Sequence, residues 1–449
     1  MQNLITKIRE TIKNTKFENK SFIAGGYVRD YIMNLNNPDY INDSHDLDIC
    51  VELLNGGIEL CKFLSEQLHG TTPVIFERFG TAQTVIDGVE CEFVMTRKES
   101  YDGVTRNPEV IFGTIAEDVV RRDLTINSIL LNISTMEIID LLNGIKDIEN
   151  KIINTTNNPD IIFKEDPLRI LRTIRFAIRF DFNINGKVIL SIIRNNKELD
   201  RVSRERIKDE FLKILILPNI EEALVTMHCL GLLKVMYLSD LGKCIGLKQN
   251  KYHTKDVFGH TMDVVNNSKN TQLHKLAALL HDIGKVATIT KDHKDEIHFY
   301  DHEEMSTIFT KGFMETLKFS NHDIELVSSA VQNHMRITES ISGKKIRKLR
   351  SELGEEKFNF LLDLCEADRL SHINPDISHI TKMREMIKIE KTIFEKQILT
   401  GNEIMKIFNL KSGPKVGEIL KIVQDLQFEA PERCTKAFLI DYLKLKINV

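Results

Sequence analysis

The chain has 449 residues, 42% hydrophobic and 28% charged, with a formal net charge of −4. That is enough for several domains with real cores, and it exerts no global pull on a polyanion, so a nucleic-acid partner must be met by local basic stripes. The apolar runs are too short to span a bilayer and the N-terminus lacks a signal-peptide layout; seven scattered cysteines without a C-x-x-C pair predict a reducing, cytoplasmic setting and exclude a disulfide or Cys-zinc framework.

Residues 3–16 read as an opening helix, with Leu4, Ile5, Ile8 and Ile12 at helical spacing. Phe22-Ile23-Ala24 then runs as a short strand into Gly25-Gly26, and a helix follows from Val28 to Met33. Glycines there let the backbone approach a ligand, and the helix N-terminus favours phosphate. Arg29, in the first turn, would reach the same anion. In Asp46-Leu47-Asp48-Ile49-Cys50-Val51 carboxylates alternate with apolar residues. On a strand Asp46 and Asp48 share one face while Leu47, Ile49 and Val51 fill a core on the other. Two carboxylates side by side repel unless a cation joins them, and Mg²⁺ takes oxygen ligands of this kind. A helix over 58–69 and strands at 74–78, 82–86 and 89–95 follow, with Glu92 in the last as the candidate third carboxylate. Residues 129–141 read as a strand pair closed by Asn143-Gly144.

From about residue 164 the pattern turns helical. Arg169, Arg172, Arg175 and Arg179 lie within one arc of a helix, and Asp166 shares that face. A salt-bridged surface is the plain alternative, but like charges this close predict an anionic ligand. A second constellation begins at His260, on a helical stretch. An apolar helix then ends in adjacent His281-Asp282, followed by Gly284-Lys285; His302, His334 and Asp368 come later. Imidazole and carboxylate together suit a transition metal or Mg²⁺/Mn²⁺. The last stretch is helical again.

Four ordered blocks carry a resemblance. Gly25-Gly26-Tyr27-Val28-Arg29-Asp30 ahead of Asp46-Leu47-Asp48 is the first, and Asn107-Pro108-Glu109-Val110 the second. Glu117-Asp118-Val119-Val120-Arg121-Arg122-Asp123-Leu124-Thr125-Ile126-Asn127-Ser128 and Glu165-Asp166-Pro167-Leu168-Arg169-Ile170-Leu171-Arg172-Thr173-Ile174-Arg175-Phe176 complete the set. Together they resemble the class II tRNA nucleotidyltransferase/poly(A) polymerase family, with Leu124 where the family has Phe and Ser128 where it has Ala. The resemblance implies an α+β head, 1–150, similar to DNA polymerase β, then an all-α remainder. That remainder is a nucleotide- and RNA-binding neck at 151–250, an HD domain at 251–375 and a tRNA-binding tail at 376–449. His260, His281, Asp282 and Asp368 match the positions that bind one metal in the HD phosphohydrolase superfamily. His302 and His334 fall where a two-metal variant or substrate contacts would need them. An HD domain behind such a head and neck is a pattern of some bacterial tRNA nucleotidyltransferases.

The expected reaction is attack of an RNA 3′-hydroxyl on the α-phosphate of a nucleoside triphosphate. Asp46 and Asp48 would hold two Mg²⁺ about 3.5–4 Å apart. Gly25, Gly26 and Arg29 would cradle the triphosphate, and Arg121 would bind the nucleotide from across the cleft. Arg122 and Asp123 would brace the loop, with Arg172 and Arg175 serving the nucleotide. Cytosine and adenine each present an amino donor beside a ring acceptor; uracil and guanine present the reverse. Asp166 as acceptor and Arg169 as donor fit C and A and oppose U and G, a mismatch worth a factor of ~10⁴ where hydrogen bonds set the choice. The expected partners are tRNA, ATP and CTP, with no membrane and no protein partner. A poly(A) polymerase, a CC- or A-adding enzyme, and an HD phosphohydrolase with an RNA-binding head are the alternatives.

Overall fold

The computed structural model describes residues 1–37, 40, 46–100, 109–249, 254–394, 399–429 and 434–446. Asn107-Pro108 of the second block lie outside them. The chain divides into two units, Met1–Tyr237 and Leu238–Val449.

The first unit opens with α1 (Gln2–Ile12), β1 (Ser21–Ala24), α2 (Gly26–Asn36), β2 (Asp46–Val51), α3 (Gly56–Gln67), β3 (Val74–Phe76), β4 (Thr81–Ile86) and β5 (Val89–Met95). Next come β6 (Arg97–Ser100), β7 (Glu109–Phe112), α4 (Ile115–Val120), β8 (Leu130–Asn132), β9 (Ile138–Ile139), α5 (Gly144–Glu149) and β10 (Ile152–Ile153). The helical part holds α6 (Pro159–Glu165), α7 (Leu168–Phe180), β11 (Asn183–Ile184), α8 (Gly186–Asn195), α9 (Arg204–Leu215), α10 (Ile220–Cys229) and α11 (Leu232–Val235). α1 is shorter than its apolar spacing suggests, because Lys13 is extended and Asn14 turns left-handed at φ 59°.

The head sheet has the order β3-β4-β5-β2-β1-β8-β9, antiparallel except for the parallel pair β2–β5. Leu47, Ile49 and Val51 are wholly buried beneath it with Ile5, Ile8, Ile12, Leu60, Leu64 and Phe93. The period-2 pattern therefore decides which face of β2 is dry, and the aspartates are left on the other. Asn158 caps α6 through the Asp160 amide, and Pro159 sits where its missing N–H costs nothing. α7 buries Ile170, Leu171 and Ile174 on one side and turns its arginines toward the head. It ends at Asp181, in the left-handed region at φ 56°.

The second unit contains α12 (Ser239–Lys243), α13 (Val257–Asn267), α14 (Gln272–Leu280), α15 (Lys285–Thr288), the hairpin β12 (Ile289–Lys291)–β13 (Ile297–Phe299) and α16 (His302–Thr316). α17 (Asn321–Asn333), α18 (Gly343–Leu353), α19 (Glu355–Leu370), α20 (Ser378–Phe394), α21 (Gly401–Ile407), α22 (Pro414–Glu429) and α23 (Lys436–Lys446) complete it. The hairpin, and the parallel pair β10–β11 in the first unit, are short strands within regions expected to be wholly helical. No helix among the described residues is long and apolar enough to cross a membrane.

α15 meets α16 at Gly284, where a Cβ would lie 2.4 Å from His302 O and from Ser306 N. Backbone cannot yield cheaply, so Gly284→Ala will destabilise the second unit by about 2–3 kcal/mol. Gly312→Ala, exposed on α16 with open space around it, will stabilise the same unit by about 0.5–1 kcal/mol. Thermal or denaturant unfolding of both variants checks the pair.

Candidate active site and metal centre

Register builds the first site. β1–β2 pairing sets Ala24 opposite Asp48, and β2–β5 pairing sets Asp46 beside Glu90 and Asp48 beside Glu92. Neighbours across a sheet share a face, so the carboxylates crowd together. Burial first, then the charges of Asp46 and Glu92, push the Asp48 carboxyl up to about 6. A bound cation is what relieves such crowding, and an all-oxygen donor set fits Mg²⁺. Gly25 is left-handed at φ 70°, and a Cβ there would stand 2.8 Å from Asp48 Oδ2. Only glycine gives that turn both its conformation and its room.

Beside the carboxylates opens a cleft of about 580 Å³. Gly25, Gly26, Arg29, Asp46, Asp48, Arg121, Asp166, Arg169, Arg172 and Arg175 all line it, so every head and neck residue expected from the sequence comes to one place. Glu92 lines it too. Nine arginines face five carboxylates across it, an excess of charge suited to a polyphosphate.

The arginines are held more firmly than their sequence pattern implied. The helix face carries little negative charge of its own, but carboxylates reach it from elsewhere. Arg172 Nε donates to Asp123 at 2.7 Å, Arg175 Nε to Glu210 at 2.5 Å and Arg169 Nη1 to Glu165 at 3.0 Å. Arg121 and Arg122 both donate to buried Asp118, which their charges hold below the usual carboxylate range despite its burial. Arg169 Nη2 also donates to the Arg121 carbonyl at 2.7 Å, tying the neck helix to the head loop. Arg29 departs most from expectation. It is 3% exposed, donates to Asp30 and Asn127 at 2.8 and 2.7 Å, and lies over the rings of Phe176 and Phe180. It braces α2 against α7 while lining the cleft. Asp166 and Arg169 are not an ion pair with each other: Asp166 Oδ2 accepts from Arg206 at 2.7 Å.

The second site is built on helix ends. His260 comes from α13, His281 and Asp282 follow α14, His302 opens α16, His334 follows α17 and Asp368 lies on α19. Asp282 is central: Oδ2 stands 3.2 Å from His281 Nε2 and 3.8 Å from His260 Nε2, while Oδ1 stands 3.2 Å from His302 Nε2 and 3.8 Å from His334 Nε2. Asp368 Oδ1 lies 3.0 Å from His260 Nε2 and 3.9 Å from His281 Nε2. Three overlapping donor groups result, His260/His281/Asp282, Asp282/His302/His334 and His260/Asp368/His372.

Three of these rings share one device. Nδ1 of His281, His302 and His334 lies 2.8, 2.9 and 2.6 Å from the carbonyl three residues back. A carbonyl only accepts, so Nδ1 carries the proton and Nε2 turns a lone pair into the site. Nε2 of His281 and of His302 is buried without a hydrogen bond. Lone pairs facing carboxylates across 3.2 Å are relieved by a cation between them, and the nitrogen and oxygen donors fit a metal ion in that place. Burial pushes His334 down to about 4, so it is neutral near pH 7 and ready to ligate. Burial opposes the charge on Asp282, and Lys285 Nζ, 2.6 Å from Oδ2, favours it.

Residues 21–154 match the family described as the poly A polymerase head domain, 181–239 the probable RNA and SrmB-binding site of polymerase A, and 250–373 the HD domain. A tRNA nucleotidyltransferase of Schizosaccharomyces pombe is 25% identical over 96% of this chain and 94% of its own length. The chain belongs to the class II tRNA nucleotidyltransferase/poly(A) polymerase family. Another family member, the A-adding tRNA nucleotidyltransferase of Deinococcus radiodurans, is 26% identical over 69% of this chain and 75% of its own. In fold, the chain is similar to the Bacillus stearothermophilus CCA-adding enzyme in complex with CTP. The TM-score is 0.67 at 18% identity, covering 99% of this chain and 98% of that one.

Some site residues escaped the family's motifs. Arg206 and Glu210 stand four apart on α9, a spacing that marks one helix face but not what it meets. His372 follows Asp368 by four and brings Nε2 to 3.6 Å from Asp368 Oδ1.

The carboxylate crowding makes a pH prediction. The folded-state value of Asp48, about 6, lies above its ordinary 3.8. Ionised Asp48 therefore costs stability fully above pH 6, and the cost vanishes below pH 4. Allowing for partial exposure, it amounts to about 1–2 kcal/mol. In EDTA, Asp48→Asn will melt a few degrees higher than wild type at pH 8 and level with it at pH 4; excess Mg²⁺ will erase the gain.

Proposed function

We propose that this chain is a CCA-adding tRNA nucleotidyltransferase, which adds C, C and A from CTP and ATP to the tRNA 3′ end and releases pyrophosphate. One observation carries the reading: a single cleft joins the Asp46/Asp48/Glu92 cluster to an arginine-rich wall and to Asp166 and Arg169 at the mouth of α7. The relatives' names and the CTP-bound fold neighbour support it.

In this reading the Gly25-Gly26 turn and the arginines of α7 receive the triphosphate. Asp166 accepts from the amino group of cytosine or adenine, and Arg169 donates to the ring acceptor beside it. The tRNA 3′-hydroxyl then attacks the α-phosphorus, the bond to the β-phosphate oxygen breaks, and pyrophosphate leaves. Asp46 and Asp48 would hold divalent ions, Mg²⁺ by their oxygen donors, which lower the pKa of the attacking hydroxyl and offset charge on the leaving group. Because protein groups choose the base, no nucleic-acid template is needed. All seven cysteines are free, in keeping with a cytoplasmic setting.

The unpartnered Nε2 atoms of His281 and His302 favour a second activity in the same chain, metal-dependent phosphoester hydrolysis by the HD domain. His260, His281, Asp282 and Asp368 would hold the metal. Such an activity would clear damaged 3′ ends before addition.

Incubating the protein with tRNA lacking CCA, Mg²⁺ and each labelled triphosphate, singly and in pairs, tests the first reading. Addition of C, C and then A, stopping at three, is expected; Asp46→Ala and Asp48→Ala will each lose at least ~10³-fold in rate. Long A tails would mark a poly(A) polymerase, A alone on tRNA ending in CC would mark an A-adding enzyme, and no incorporation would sink the family of readings. For the second, hydrolysis of 2′,3′-cyclic and 2′-phosphoesters will depend on added divalent metal and vanish in His281→Ala, with nucleotide addition intact. Equal hydrolysis by the variant and wild type would remove it.

A further inference from the structure

The carboxylate that would read the base is held from an unexpected quarter. Asp166 Oδ1 accepts from the Leu168 amide at 3.2 Å, and Oδ2 accepts from Arg206 Nη2 at 2.7 Å. Arg206 belongs to α9, whose first turn is capped by Ser203. One turn further on, buried Glu210 accepts from Arg175 Nε at 2.5 Å. α9 thus sends one cation and one anion, four residues apart, to opposite charges at the start and middle of the nucleotide-facing wall. The buried Glu210–Arg175 contact fixes the roll of α9 about its axis, and that fixes where Arg206 points.

Stability does not account for the outer contact. The Arg206 and Asp166 side chains are 52% and 28% exposed. An ion pair so open to water contributes about 0–1 kcal/mol to folding. Its effect is on orientation. A carboxylate held at one oxygen only can swing about its Cβ–Cγ bond and turn away from an unwelcome group. Held at both oxygens, it keeps its remaining lone pairs aimed into the cleft. Rejection of uracil and guanine needs that rigidity, because their ring-edge carbonyl must be forced against the carboxylate for the mismatch to cost anything. Once a base fills the cleft and displaces water, the same Arg206–Asp166 contact also tightens.

We infer that Arg206 is the positioning residue behind base choice: it holds Asp166 Oδ2 from a helix anchored by Glu210, so that the carboxylate cannot yield to a uracil or guanine carbonyl. The inference rests on the cleft being the nucleotide site proposed above. Arg206 acts through Asp166, and lysine, which lacks the planar fork, should replace it only in part.

The experiment is steady-state single-nucleotide addition by the full-length protein to tRNA lacking CCA (CTP against UTP) and to tRNA ending in CC (ATP against GTP). Arg206→Ala and Arg206→Gln will lower both ratios of kcat/KM at least tenfold, chiefly by raising incorporation of the wrong base. Arg206→Lys will recover part of each ratio. In an Asp166→Ala background, Arg206→Ala will cause no further loss of discrimination. A merely structural role would slow all four nucleotides alike; ratios within twofold of wild type in both neutral variants overturn the inference, as do additive effects in the double variant. A wild-type protein with no preference for C and A fails before any variant is made, and then the reading of the cleft falls with it.

Discussion

The first unit depends on a repulsion. Three carboxylates, Asp46, Asp48 and Glu92, are set side by side by strand register, over a face whose reverse is a fully buried core. Backbone pairing leaves them no choice of distance. Asp48 records the conflict in a carboxyl pushed up to about 6. The surroundings then follow a simple logic. The turn beside the aspartates is glycine because Asp48 occupies the space a side chain would need. The wall across the cleft is arginine: Arg169, Arg172, Arg175 and Arg206 each meet a carboxylate, and Arg121 and Arg122 share Asp118, so these side chains stay in place without a ligand. The cleft is locally unfavourable at its carboxylate end and locally balanced along its arginine wall.

The second unit solves the same problem with other materials. Its donors are rings, aimed by main-chain carbonyls three residues back, around one central aspartate. Nitrogen and oxygen together suit transition metals, whereas the oxygen-only cluster of the head suits Mg²⁺. One chain therefore offers two metal environments that need not compete for the same ion.

Local pattern carried most of this. Alternation revealed the dry face of β2, the Gly25-Gly26 turn announced itself, and His281-Asp282 at the end of an apolar helix stood out. What sequence spacing could not show was tertiary company. The arginine stripe of α7 looked uncompensated because Asp123 and Glu210 lie 49 and 35 residues from the arginines they meet. Nothing near Arg29 in sequence foretold its contacts with Phe176 and Phe180. Asp166 and Arg169, read together as the pair that meets the base, are each engaged by a further residue, Arg206 and Glu165. Periodicity tells which way a side chain points, and only the fold tells what is already there.

The Arg29 contact has a mechanical consequence. Its guanidinium lies over both Phe176 and Phe180, and through Asn127 it also grips the turn after Asp123. The helix that begins at the Gly25-Gly26 turn and the helix that begins beside Asp166 are thereby joined like two arms of one lever. A push on either helix is carried to the other, so the two parts of the cleft wall they supply keep their spacing together.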